Sequence, residues 1–356
     1  MRSRRRATCW TSPTSTCART PLRGRLGMGI LYLLPGQGAQ YRGMGVELYR
    51  TSTQFATAVD EVLDTLSRLS TYFPAVKQRW LDGEDDPADP SVTQPLLLAV
   101  EYGLHRLLSS WGIEPTAVLG HSAGELAAAV IADVLSLDDA CLMLEARAAH
   151  SLECPAGGML AVGATPETLH AILPPDTEIA GVNAPRQTMV SGPTESLRRA
   201  RSILDENCVT YVDLASTRPF HHSLMSDKQD MVRMNATSLS FVPSPIEFVS
   251  GYAGTTIAAT QYCRPEYWAN HMAAPVRYWD AIRSALSNTL FDCVIEIGPG
   301  TTLSTIARRA ARSSPGTHRP PLVLTSMSGP GSDTLEHLRT LRARADHRSA
   351  AEGVSA

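Results

Sequence analysis

From Ala117 to Ala132 the chain reads AVLG, HSAGE and LAAAVIA: a short apolar run, a turn bracketed by Gly120 and Gly124, and an alanine-rich continuation. An unbroken apolar run of this length suits a parallel strand buried on both faces. The alanines, with Leu126 and Ile131, favour helix. Strand, tight turn and helix in that order point to a doubly wound α/β sheet. Ile30 to Leu34, which stops at Pro35 and Gly36, and Val294 to Ile297, before Gly298, read as further buried strands. Between Thr93 and Ser110, residues Leu96, Leu97, Val100, Leu104, Leu107 and Leu108 fall on one stripe, as on a helix packed against a core. The acidic stretch from Asp82 to Asp89, broken by Pro87, reads as a loop.

The periodicity changes from about Gly157. Strand-like and helix-like segments follow as β (159–162), α (166–173), β (179–183), β (188–191), α (195–206) and β (209–214). This is the split βαβ, ferredoxin-like order. The expected organisation is a large α/β domain made of residues 28–155 and 218–312, with a ferredoxin-like subdomain at 156–217 inserted into it. Residues 313–356 read as a C-terminal segment, one short helix and a partly disordered end. A cleft between the two units is the default substrate site.

The net charge of −3 hides an uneven distribution. Residues 1–27 hold seven arginines and no acid, and 308–356 hold eight arginines against four acids. Residues 28–307 are left with seventeen basic and thirty-one acidic side chains, a formal −14. A body of that charge argues against nucleic acid as a partner. No apolar run approaches the roughly 18 residues of a membrane span. Seven cysteines, with no CxxC pair and no histidine spaced to complete a metal site, read as reduced thiols, which places the protein in the cytoplasm without a metal. The arginine-rich leader at 1–27 has the composition of a mitochondrial transit peptide. With only two lysines in the chain, it also fits translation read from too far upstream, and Met28 is the favoured start.

Glycines on both sides of Ser122 allow the sharp turn that lifts a serine Oγ clear of the backbone in front of a helix N-terminus. The PGQGAQ run from Pro35 to Gln40 follows the first strand, but lacks the lysine of a P-loop and the GxGxxG spacing of a dinucleotide site. It fits better as a turn offering backbone N–H groups to an oxyanion.

PGQGAQ, GHSAGE, Arg147 in MLEAR, GVNAPRQTMVSG, PFHHSLM and EIGPG, in this order and spacing, closely resemble the malonyl-CoA:acyl carrier protein transacylases and the acyltransferase domains of polyketide synthases, from about Met28 to about Arg312. The resemblance implies a hydrolase-like doubly wound parallel sheet with an inserted ferredoxin-like subdomain. It makes Ser122 the nucleophile and His221 the base, with the backbone N–H groups of Gln37 and Ala123 as oxyanion donors. Gln94 would line the acyl pocket, Arg147 would clamp an acyl carboxylate, and Phe220 would crowd out a 2-methyl branch. A main-chain carbonyl in the segment 268–275 would orient His221, with Asn270 or His271 as the expected position. The family usually has Ser where this chain has His222, a departure that bears on acyl selectivity.

The implied activity is that of a stand-alone enzyme moving malonyl from coenzyme A to the phosphopantetheine of an acyl carrier protein through an acyl-serine, in polyketide or fatty acid biosynthesis, with no bound cofactor. Arg198, Arg199 and Arg201, and Arg308, Arg309 and Arg312, are the basic clusters that could guide these anionic partners. His222 and Ala123 keep open transfer of a larger acyl or aminoacyl group between carrier proteins. A serine thioesterase, which shares GxSxG, would need an acid between Ser and His in chain order, and none is evident.

Overall fold

The computed structural model describes residues 29–69, 73, 75–313, 319–332 and 334–353. The arginine-rich leader lies outside them. The apolar runs form strands β1 (Ile30–Leu34) and β2 (Ala117–Gly120), every residue of each buried. The small unit contributes β3 (Gly157–Val162), β4 (Glu178–Ala184), β5 (Gln187–Pro193) and β6 (Tyr211–Asp213). β7 (Glu247–Ser250), β8 (Thr255–Thr256), β9 (Cys293–Pro299) and β10 (Leu322–Met327) return to the large one.

The large sheet has the order β10-β9-β1-β2-β7-β8. All neighbours are parallel except the short β8, which runs antiparallel to β7. The register of β1 on β2 pairs Leu34 with Gly120, so the two strands end together and their outgoing loops lie side by side. β9 flanks β1 on its other edge, which brings its GPG turn to the same end. Ligands of open α/β sheets gather at the carboxyl ends of such strands. The Pro90–Ser110 helix carries Leu96, Leu97, Val100 and Leu104 into the core under this face, and is capped by Asp89, whose carboxylate accepts the Ser91 N–H.

The second sheet has the order β4-β5-β3-β6, all antiparallel. The Pro166–Ile172 and Thr194–Glu206 helices bury Leu169, Leu197 and Leu204 against Leu160, Val162 and Val190. This is the ferredoxin-like subdomain of a hydrolase-like α/β fold. Its β4 is joined to the large domain by two backbone hydrogen bonds, Val182 N–H to the Val276 carbonyl at 2.8 Å and Val276 N–H to the Ala180 carbonyl at 2.9 Å.

After residue 312 the helix expected beyond about Gly329 is present and longer than expected, and an edge strand that the sequence reading did not expect precedes it. Leu322–Met327 is the edge strand β10 of the main sheet, and Leu335–Gly353 is a helix that buries Leu338, Leu341 and Ala345. The apolar run LVL behind Pro320 and Pro321 supplies the strand, and three apolar residues at spacings of three and four supply the helix with a face to bury. No helix among the described residues is long and apolar enough to cross a membrane.

Candidate active site

Ser122 stands between β2 and the Gly124–Ile131 helix with a left-handed backbone, φ 51°. That conformation is strained for a serine and is held by its surroundings. Gly124 is required because a Cβ there would come within 2.3 Å of the Leu34 carbonyl oxygen. Gly36 is required for the facing turn, since its Cβ would lie 2.4 Å from the His121 carbonyl oxygen and 3.3 Å from the Ala123 nitrogen. The PGQG turn and the serine turn therefore touch backbone to backbone. Among the described residues neither the Gln37 N–H nor the Ala123 N–H donates to a protein acceptor. Two free N–H groups beside a strained serine can receive an oxyanion.

Ser122 Oγ lies 2.7 Å from His221 Nε2. His221 Nδ1 donates to the carbonyl of Ala274 at 2.7 Å, which fixes the tautomer with a bare Nε2 facing the hydroxyl. The orienting carbonyl thus belongs to neither Asn270 nor His271. The Asn270 carbonyl instead accepts the N–H groups of Ala273 and Ala274, closing the turn that delivers the Ala274 carbonyl to the ring. The His221 N–H is held by the Met272 carbonyl at 2.8 Å. Burial, and then the nearby His271, His121 and Arg147, push the pKa of His221 down to about 3, so the ring is a neutral base at physiological pH. His222 turns away: its Nδ1 accepts the Leu224 N–H and its Nε2 donates to the Asp176 carbonyl.

Ser122, His221, Gln37 and Phe220 line one cleft, closed on the subdomain side by Met189 and Leu214. Gln94 is buried and reaches Gln37 instead, donating from Nε2 to Gln37 Oε1 at 2.9 Å, while Gln37 Nε2 lies 3.3 Å from Thr93 Oγ1. Arg147 is buried in the Leu137–Glu153 helix, its guanidinium 6.0 Å from the centre of the Trp268 ring. Its Nε and Nη2 have no hydrogen-bond partner among the described residues. Burial lowers its pKa to about 10, with Glu125 and Tyr267 acting to raise it, so it stays charged.

Sequence reasoning missed a buried network behind this cleft. Glu125, the second residue of the helix after Ser122, is fully buried. Its Oε2 accepts from His271 Nε2 at 2.8 Å, its Oε1 accepts from the Tyr267 hydroxyl, and Tyr267 also bonds Ser250. The signal in the sequence was a glutamate within an otherwise apolar helix start.

The two basic clusters differ. Arg198, Arg199 and Arg201 are each paired with an acid, Glu195, Asp176 and Asp213 respectively. Arg308, Arg309 and Arg312 are exposed on the Thr302–Ser313 helix and no acid pairs with them among the described residues. The same residues hold no group of three or more His, Cys, Asp or Glu placed for a metal.

The profile of the acyl transferase domain matches residues 31–351. The chain is 35% identical over 324 residues to polyketide synthase GfsB of Streptomyces halstedii, covering 88% of this chain and 6% of that synthase. It superposes on the acyltransferase domain from the second module of the salinomycin polyketide synthase with a TM-score of 0.77 at 31% identity, covering 88% of this chain and 72% of that one. The loading acyltransferase of the avermectin modular polyketide synthase gives 0.79 at 28% identity, covering 89% and 99%. With its strained serine, neutral histidine and free turn amides on a hydrolase-like fold, the chain belongs to the acyl transferase domain family and is an acyltransferase.

Proposed function

We propose that the protein loads malonyl from coenzyme A onto Ser122 and passes it to the phosphopantetheine thiol of an acyl carrier protein in polyketide biosynthesis. The observation that carries the acyl choice is Arg147, a buried guanidinium with two nitrogens unpartnered. A buried charge is costly unless paired, and a carboxylate can take two parallel hydrogen bonds from this fork. A malonyl group brings such a carboxylate; an acetyl group does not. Phe220 lines the cleft next to His221 and narrows the space for a 2-methyl branch.

In the reaction, His221 Nε2 removes the Ser122 proton as Oγ attacks the thioester carbonyl. The oxyanion is received by the Gln37 and Ala123 N–H groups. The C–S bond breaks and His221 returns the proton to the coenzyme A thiolate. The carrier thiol then attacks the ester, with His221 acting as base again and Ser122 recovering its proton. Arg308, Arg309 and Arg312, which form no salt bridge among the described residues although Arg308 donates to the Val323 carbonyl and Arg309 lies over Trp279, give an otherwise acidic protein a local site for its anionic partners.

Intact-mass measurement after mixing with malonyl-CoA, acetyl-CoA and a loaded carrier protein tests the reading. Malonyl on Ser122, transferable to an added carrier, is the expected result. Loading only from an acylated carrier with a bulkier group would favour transfer between carriers, and steady hydrolysis without transfer would favour a thioesterase.

A further inference from the structure

Hydrogen bonds run from β4 of the inserted subdomain to a neighbour of each member of the Ser122–His221–Ala274 hydrogen-bond chain. Asn183 bonds the ring of His121, the residue before Ser122. Ala180 and Val182 exchange backbone hydrogen bonds with Val276, two residues beyond Ala274. Asp176, just ahead of the strand, and Glu178, its first residue, bond His222 and Ser223, the residues that follow His221. The strand is itself paired with β5, so these contacts share one stiff support.

The turn after His221 needs such support. His221 has a left-handed backbone, φ 59°, which a residue other than glycine keeps only where its surroundings impose it. On one side its N–H is gripped by the Met272 carbonyl. On the other, His222 Nδ1 accepts the Leu224 N–H and closes the turn, while its Nε2 donates to the Asp176 carbonyl at 3.3 Å. Glu178 Oε2 accepts the Ser223 N–H at 2.9 Å, Oε1 accepts the Ser223 hydroxyl, and Oε1 also lies 3.7 Å from His222 Nε2. A main-chain donor and a side-chain donor of the turn thus end on a single side chain of β4.

We propose that Glu178 is a positioning residue for acyl transfer: acting through Ser223 and His222, it holds the turn that presents His221 Nε2 to Ser122. This rests on the acyl-serine reading above. His222, which stands where the family usually has serine, then serves the placement of His221 and not the choice of acyl group, since its ring does not line the cleft. A misplacement of about 1 Å can cost a hundredfold in rate. Glu178 is half-buried and is one of several restraints on the turn, so a loss of about tenfold is expected when it is removed.

The test uses the full chain, with acylation of Ser122 followed by intact mass at varied malonyl-CoA and acetyl-CoA. Glu178→Ala is expected to lower the maximal rate about tenfold for both thioesters, with the half-saturating concentrations and the malonyl-to-acetyl ratio unchanged. Glu178→Gln keeps one acceptor oxygen and should restore the rate to within about threefold of the parent. Thr165→Ala is the control for stability alone: it removes the side-chain cap of the Pro166–Ile172 helix in the same subdomain, and should lower the melting temperature while the rates stay at the parent level. His222→Ser should slow both thioesters alike. Parent rates in both Glu178 variants overturn the proposal, as does an equal loss of rate in Thr165→Ala, or a malonyl-to-acetyl ratio that shifts in His222→Ser at unchanged maximal rate. Should Glu178→Ala be insoluble, the isosteric Glu178→Gln carries the comparison, and a maximal rate equal to the parent's overturns the proposal. A parent protein that gains no acyl group on Ser122 from either thioester removes the acyl-serine reading and this inference with it, whereas normal parent loading with unaltered Glu178 variants removes this inference alone.

Discussion

His121 Nε2 lies 2.8 Å from Asn183 Oδ1, which fastens the residue before Ser122 to β4 of the ferredoxin-like subdomain. Both side chains are largely enclosed, and burial lowers the His121 pKa, so the ring bonds as a neutral donor. The two walls of the cleft are thereby held to one another at the serine itself.

Asn183→Ala would leave that donor without an acceptor, at a cost of about 1–3 kcal/mol. Melting temperature should fall, and kcat for acyl transfer should drop more than KM rises, because the change loosens the turn that carries Ser122. Thermal denaturation and steady-state kinetics on the same samples check both.

Gly124→Ala forces a methyl carbon to 2.3 Å from the Leu34 oxygen and 2.5 Å from that of Pro35, both backbone atoms with nowhere to go. A loss of about 3 kcal/mol or more is expected, enough to make the protein insoluble or inactive. Expression and denaturant unfolding read this out, and a well-folded, active variant would refute the tight turn.

Replacing Arg147 separates function from stability. Arg147→Ala should lower malonyl loading by about a hundredfold, the worth of a lost bidentate charge pair, with little loss of acetyl loading. Arg147→Met removes a buried charge two of whose nitrogens have no hydrogen-bond partner among the described residues and should raise the melting temperature, as replacing buried ions by apolar groups of similar volume often does.

His221 sets the acid side of the pH dependence. Its folded pKa of about 3 lies below the ordinary 6.5, so the unfolded chain takes up a proton that the native site refuses. Stability should therefore fall as pH drops from about 6.5 towards 3, while the base remains neutral and competent throughout that window. Acetyl loading measured between pH 5 and 7 should show no inflection from His221; a sigmoid loss centred near 6.5 would contradict the depressed pKa.

The elements around the serine were legible because their signals are local. AVLG and ILYLL are unbroken apolar runs, and the glycines that end them mark places where backbone meets backbone. The resemblance supplied what locality could not, the pairing of Ser122 with a histidine 99 positions away. The Glu125–His271 contact, 146 positions apart, left only the oddity of an acid in an apolar helix start. The neutralisation of Arg199 by Asp176 and of Arg201 by Asp213 was equally hidden, since the acids come from other segments of the chain. The edge strand Leu322–Met327 carried a readable apolar run, but its place beside β9 depends on the whole sheet.

The oxygen that holds His221 is part of the peptide chain, and every amino acid at position 274 would present the same one. No side-chain replacement there can delete it, so alanine scanning will pass over one of the three groups in the Ser122–His221–Ala274 hydrogen-bond chain. What can delete it is a change of length. One residue added or removed between Met272, which fixes the His221 amide, and Val276, which is stitched to β4, would shift the carbonyl out of reach. Natural or engineered variation in this stretch is therefore expected to be free in composition and fixed in spacing.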